Sequence, residues 1–84
     1  MATVTIYTKD WCPYCHAAKA LLDGKGAPYT EITVLDPEKR SAMTERAHGR
    51  RTVPQIFIGD LHVGGYDDIS ALDRHGKLDP LLSA

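Results

Sequence analysis

From Val4 to Gly24 the chain reads VTIYTKDWCPYCHAAKALLDG, and this stretch decides the fold. Val4-Thr5-Ile6-Tyr7 is β-branched and aromatic, which reads as a strand, and Lys9-Asp10 ends it. Pro13 suits the first turn of a helix, where its missing N–H has no intrahelical partner to lose. Cys15, Ala18, Leu21 and Leu22 then recur at helical spacing until Gly24 stops the run. Cys12 and Cys15 therefore stand at a strand-to-helix junction, one turn apart on one face. They are the only two cysteines in the chain. A bridge between them closes too short a loop to constrain the unfolded chain much, so the pair points to chemistry rather than to stability.

Working outward, Tyr29-Thr30-Glu31-Ile32-Thr33 alternates like a second strand. Asp36-Pro37 opens a second helix, with Asp36 as N-cap, Pro37 at the first helical position and Glu38 in the first turn, running to about His48-Gly49. Gln55–Ile58 and Leu61–Val63 are two short strands, and Gly59-Asp60 between them suits a two-residue hairpin turn. Asp67 or Asp68 is the expected cap of a third helix carrying Ile69 and Leu72. The tail Leu78-Asp79-Pro80-Leu81-Leu82 reads as a short helical turn. The order is strand-helix-strand-helix-strand-strand-helix. Its first two strands are expected to be parallel with a right-handed crossover, and its last two antiparallel. The result is an α/β fold, a four-stranded mixed sheet flanked by helices. A C-x-x-C at the first strand-to-helix junction of such a pattern is the thioredoxin-like redox signature. It lies beyond the carboxyl end of a strand, where open α/β sheets bind ligands.

Eighty-four residues make one domain, residues 1–84, with no linker, repeat or low-complexity tract. Apolar residues at 43% and charged residues at 25% exclude a disordered, collagen-like or coiled-coil chain. Ten Lys and Arg against eleven Asp and Glu leave a net charge of −1. That balance lacks the electrostatic footprint of a nucleic-acid binder or a polybasic membrane binder, so neither partner is expected. The N-terminus has no basic region followed by a signal-length apolar run, and no stretch approaches about 18 apolar residues. The expected setting is the cytosol, where structural disulfides are rare, and the expected state a monomer.

Three segments carry a family resemblance. Cys12-Pro13-Tyr14-Cys15, Thr52-Val53-Pro54 and Gly64-Gly65-Tyr66-Asp67-Asp68 stand in the order and spacing of the signature segments of dithiol (class I) glutaredoxins. A lone C-x-x-C is unspecific; three such segments in register are not. The chain resembles the short bacterial type nearly end to end, with support from Ile6-Tyr7-Thr8-Lys9, Pro54–Ile58 and Leu78–Leu82. The resemblance implies a thioredoxin fold, glutathione as co-substrate, and glutathionylated proteins and protein disulfides as substrates. It makes Cys12 the nucleophile and Cys15 the resolving thiol. Lys9 and Tyr14 would flank the glutathione groove, Thr52 and Val53 present backbone to it, and Pro54 be a cis-proline opposite the cysteines. Gly65, Tyr66 and Asp67 would hold the γ-glutamyl end, and Arg40 would reach the glycyl carboxylate, or Arg50 or Arg51 in its place. Two positions depart from common members: Trp11 stands before the first cysteine, and Tyr66 stands where cysteine is frequent.

The physics beneath the motif agrees. Cys12 at the helix start faces unpaired N–H groups and the positive end of the macrodipole, which favour a thiolate; Lys9 adds a positive charge nearby. Lowering a thiol pKa by about 3 units raises the thiolate fraction about 30-fold at neutral pH but loses about 16–30-fold in intrinsic nucleophilicity. The net benefit is in the leaving group, when glutathione attacks the mixed disulfide. Gly64-Gly65 removes two side chains so that a ligand can lie against the chain, and the helix beyond offers N–H groups to a carboxylate.

Other chemistries fit less well. Zinc needs two further ligands, and His16, His48, His62 and His75 lack the usual H-x(3–5)-H spacing. Cys12–His16 matches the C-x-x-C-H haem pattern, but only Met43 or another histidine would serve as axial ligand. A glutathione-ligated iron–sulfur dimer occurs among relatives, and Pro13 resembles the members that bind clusters poorly. The expectation is therefore no metal and no tightly bound cofactor. A redoxin reduced by thioredoxin reductase is the alternative within enzymes, against which Gly64-Gly65-Tyr66-Asp67 argues.

Overall fold

The computed structural model describes residues 2–84, and the elements follow the sequence pattern closely. They are β1 (Val4–Thr8), α1 (Pro13–Gly24), β2 (Tyr29–Thr33), α2 (Pro37–Arg46), β3 (Gln55–Ile58), β4 (Leu61–Gly64), α3 (Tyr66–Arg74) and α4 (Leu78–Ser83). The four strands form one sheet in the order β2-β1-β3-β4. β1 pairs parallel to β2, and β3 is antiparallel to both β1 and β4. This is the mixed sheet that the sequence predicts, with the tail folded into the short helix α4.

Strand alternation sends side chains to two different layers. Val4, Ile6, Ile56 and Ile58 face a core with Ala18 and Leu22 of α1, Ile69 of α3, and Leu78 and Leu82 of α4. Tyr7 and Phe57 point the other way, onto Met43, Ala47 and Val34, with their rings edge to face 5.7 Å apart. Leu22, Met43, Ile56, Ile69 and Leu78 are fully buried. Lys25 at the end of α1 ties the helical layer together through Asp73 at 2.6 Å and Asp79 at 3.0 Å.

Two boundaries differ from expectation. α2 ends at Arg46 rather than near His48-Gly49, because His48 adopts a left-handed backbone (φ 58°) that no helix continues through. The cap of α3 is Gly65, and neither Asp67 nor Asp68 is the N-cap residue. Asp68 does the capping from inside the first turn, its Oδ2 accepting from the Gly65 N–H at 2.9 Å. At the hairpin, Gly59 takes φ 59°, the turn geometry that a side chain would disfavour.

Candidate active site

The loop after β1 delivers Cys12 to the start of α1, where it is the N-cap. Its Sγ accepts from the Cys15 N–H at 3.2 Å, so a free donor of the helix start points at this sulfur, as its position in the sequence requires. Cys12 and Cys15 are joined as a disulfide with Cα atoms 5.2 Å apart. Cys15 is the deeper of the two, 1% exposed against 5% for Cys12. Both are enclosed, so a partner reaches Cys12 only along a groove in the surface. Trp11, immediately before it, adopts a left-handed backbone (φ 59°) and is 95% exposed. The ring therefore stands on the rim and packs on nothing beneath it.

Across from the sulfurs runs Arg50–Pro54, between α2 and β3. The Val53–Pro54 peptide is cis, as expected, and the Val53 carbonyl oxygen lies 3.8 Å from Cys12 Sγ. A cleft extends from this point in two directions, and Tyr14, Thr52 and Val53 line both arms. One arm runs over Cys12 to Lys9, Trp11, Arg40 and Arg51. Arg40 Nη1 donates to the Arg51 carbonyl at 2.9 Å, which fixes the guanidinium there. The other arm runs over Pro54 to Gly65, Tyr66, Asp67 and Asp68, with Arg50 at its side. Tyr14 and Tyr66 face each other across that arm, ring centroids 6.2 Å apart at 30°.

The site residues expected from the sequence thus border these two arms, Lys9 and Arg40 at one end and Gly65, Tyr66 and Asp67 at the other, except Cys15, which is buried behind Cys12. The three candidate arginines separate: Arg51 stays with Arg40, while Arg50 goes to the opposite arm and pairs with Asp68 at 3.1 Å. The role expected of Gly64 needs correction. A Cβ there would collide with the carboxylate of Asp68 and come within 2.6 Å of Arg50 Nη1, so Gly64 makes room for this ion pair and not for a ligand. A Cβ on Gly65 would meet the Pro54 carbonyl at an ordinary 3.5 Å. The Gly65 N–H and the Arg50 guanidinium both hold Asp68 below the usual carboxylate range, the N–H contributing more.

Two features of the site have no contiguous signal in the sequence. One is the Arg50–Asp68 pair, whose members lie in different segments; the Gly65-x-x-Asp68 spacing, a capping pattern with glycine at its head, was the available signal. The other is a polar network behind the cleft. Gln55, fully buried, donates from Nε2 to the Thr52 carbonyl at 3.0 Å and to Thr52 Oγ1 at 3.2 Å. Its Oε1 meets His62 Nε2 at 2.7 Å, and His62 Nδ1 meets His48 Nδ1 at 3.1 Å.

A reactive cysteine pair at the end of a β-strand, facing a cis-proline across a polar cleft, defines a thiol–disulfide oxidoreductase on a thioredoxin fold. Comparison with known proteins narrows that class. The glutaredoxin family profile matches residues 4–63. Glutaredoxin 3 of Escherichia coli K12 is 57% identical over 83 residues, covering 98% of this chain and 99% of that protein. The glutaredoxin of Pseudomonas aeruginosa is 55% identical over 85 residues, spanning both chains completely. Among solved structures, buckwheat glutaredoxin in complex with glutathione superposes with a TM-score of 0.87 at 35% identity, covering 98% of this chain and 77% of that one. The solution structure of Brucella melitensis glutaredoxin gives 0.86 at 58% identity, covering 98% and 89%. The chain belongs to the glutaredoxin family, the glutathione-dependent thiol–disulfide oxidoreductases.

Proposed function

We propose that the two-armed cleft binds one glutathionyl group with its sulfur over Cys12, its glycyl carboxylate toward Lys9, Arg40 and Arg51, and its γ-glutamyl end at Gly65, Tyr66 and Asp67. The observation that carries this reading is the sorting of charge along the cleft. Unpaired cations line one arm, and the other, where Arg50 is taken up by Asp68, holds an exposed carboxylate, Asp67, beside the N–H groups that open α3. Glutathione has a lone carboxylate at one end and an ammonium with a carboxylate at the other, so each end finds its complement. Thr52 and Val53 present backbone between the arms, and Tyr14 and Tyr66 wall the second.

In the one-cysteine route the Cys12 thiolate attacks the glutathionyl sulfur of a mixed disulfide. That S–S bond breaks, the client thiol departs as thiolate, and a Cys12–glutathione disulfide forms. A second glutathione thiolate attacks the bound glutathione sulfur, releasing glutathione disulfide and restoring the Cys12 thiolate. The thiolate leaves readily because the Cys15 N–H and the helix start stabilise it. In the two-cysteine route Cys12 attacks a protein disulfide and Cys15 displaces the client from it, leaving the Cys12–Cys15 bridge for two glutathiones to reduce. The substrates in this reading are glutathionylated proteins and protein disulfides. The protein works as a cytosolic monomer without a resident metal or prosthetic group. All the chemistry above is carried by one chain, and its only cysteines are the working pair.

The test is reduction of a small glutathionyl mixed disulfide by glutathione, coupled to recycling of glutathione disulfide. Turnover that saturates with the mixed disulfide supports the reading. Turnover only with thioredoxin reductase, or a visible cluster or haem spectrum in anaerobically purified protein, refutes it.

A further inference from the structure

On the α2 face of the sheet, three side chains meet, and one of them, Gln55, links the histidine pair His48–His62 to Thr52 at the cleft. Strand register explains their meeting: His62 on β4 lies opposite Phe57 on β3, and Gln55, two residues before Phe57, shares that face. His48 reaches the same place through its left-handed backbone at the end of α2. The hydrogen-bonding order is fixed from the cleft end. The Thr52 carbonyl can only accept, so the Gln55 amide must turn its Nε2 toward it, which leaves the acceptor Oε1 facing His62. His62 therefore carries its proton on Nε2, and its Nδ1 accepts from His48 Nδ1–H. Thr52 lies outside any strand ladder, and among the described residues the Gln55 amide makes the only side-chain bonds to it.

We propose that His62 is a positioning residue for the glutathionyl substrate: by holding Gln55 it locks the Thr52 hydroxyl and carbonyl, and with them the Thr52–Val53 backbone that faces the ligand. The inference rests on the proposed role of Thr52–Val53 as the backbone part of the subsite. Without the His62 donor the Gln55 Oε1 is a buried acceptor with no partner, and the amide satisfies itself by turning away from Thr52. The loss falls on binding, because Thr52 and Val53 contact the ligand equally before and during sulfur exchange.

The test is steady-state kinetics with a small glutathionyl mixed disulfide and glutathione, alongside thermal unfolding. His62→Phe, which keeps the stacking on Phe57 but not the donor, is expected to raise KM for the mixed disulfide about fivefold, with kcat within about twofold, as for one lost hydrogen bond. His62→Gln places an amide nitrogen near the old Nε2 position and restores KM. Gln55→Met removes both ends of the link and raises KM like His62→Phe, providing an independent reading should the latter not fold. His48→Asn keeps a residue that tolerates the left-handed backbone and leaves KM unchanged. A wild-type KM in His62→Phe or in Gln55→Met, or failure of His62→Gln to restore it, overturns the inference. A wild type that ignores glutathione overturns the underlying reading of the cleft, and this inference with it.

Discussion

The two arms of the cleft are built on different principles. At the Lys9–Arg40–Arg51 end none of the three cations makes an ion pair among the described residues; one guanidinium is tied to a backbone carbonyl and the rest is open charge. At the Gly65–Asp67 end the charges are committed. Arg50 is paired with Asp68, Asp68 is bonded to the Gly65 N–H, and a glycine behind them leaves the space this needs. On the proposed reading, the first arm should attract at a distance and tolerate error. The second holds a rigid template, and discrimination between glutathione and other thiols should reside there.

That contrast has meaning only if both arms serve one sulfur, and the sharpest way to break it is at the cysteines. Cys12→Ser should abolish turnover of both glutathionyl mixed disulfides and protein disulfides. Cys15→Ser should lose the second activity and keep the first. A Cys15→Ser protein inactive toward mixed disulfides would separate the cleft from the chemistry proposed for it.

The next largest effect is expected from Asp68→Ala, which dismantles the template. Loss of the bond to the Gly65 N–H should reduce stability by about 1 kcal/mol, as for a helix cap, and raise KM for the glutathionyl substrate as well. Asp68 titrates below its ordinary value of 3.8 in the fold. Its contribution to stability is therefore complete above that value and is lost as pH falls through the lower, folded one. Denaturant unfolding between pH 6 and 2 should show a shallower acid loss in Asp68→Ala than in wild type. Equal slopes would mean that the committed charges do not hold this arm.

Asp67 has the opposite character within the same arm, since it lies in the cleft wall without making the capping bond. Asp67→Asn should raise KM for the glutathionyl substrate about three- to tenfold, the range of an ordinary net hydrogen bond, because solvent in a partly open site weakens the charged pair, with unfolding unchanged. A stability loss with unchanged KM would make Asp67 a helix-end charge and nothing more. Smallest of all should be Arg40→Gln, about a two- to threefold rise in KM at low salt that disappears near 0.5 M salt, because an exposed charge is screened within a few ångströms there. A salt-independent effect would show that the first arm too is a rigid template.

Much of this arrangement was legible in the residues, for a physical reason. Strands, helices and hairpin are written in local periodicity, and the three signature segments are each contiguous, so the cysteines, the cis-proline and the Gly65–Asp67 arm needed no knowledge of distant contacts. What escaped were mostly features set by residues far apart in the chain. The end of α2 falls two residues short of His48-Gly49 because Gly49 marks a stop without saying that His48 before it already leaves the helix, with φ 58° against 91° at Gly49. A glycine pair does not say which side chain fills the gap it leaves, and at Gly64 the gap is filled by Asp68 and Arg50 from two other segments rather than by a ligand. Arg40, Arg50 and Arg51 could not be told apart by sequence because the division between arms falls between Arg50 and Arg51, adjacent residues whose side chains diverge.

Trp11 gives the molecule a built-in optical probe. It is the only tryptophan, it stands almost wholly in water, and it is covalently next to the sulfur that changes oxidation state. Disulfides quench indole emission at short range, so the fluorescence of this one ring should brighten as the Cys12–Cys15 bridge opens, at a wavelength typical of hydrated indole in both forms. Equilibration against graded ratios of glutathione to its disulfide would then read the redox balance of the protein directly from its own light, without label or coupled enzyme.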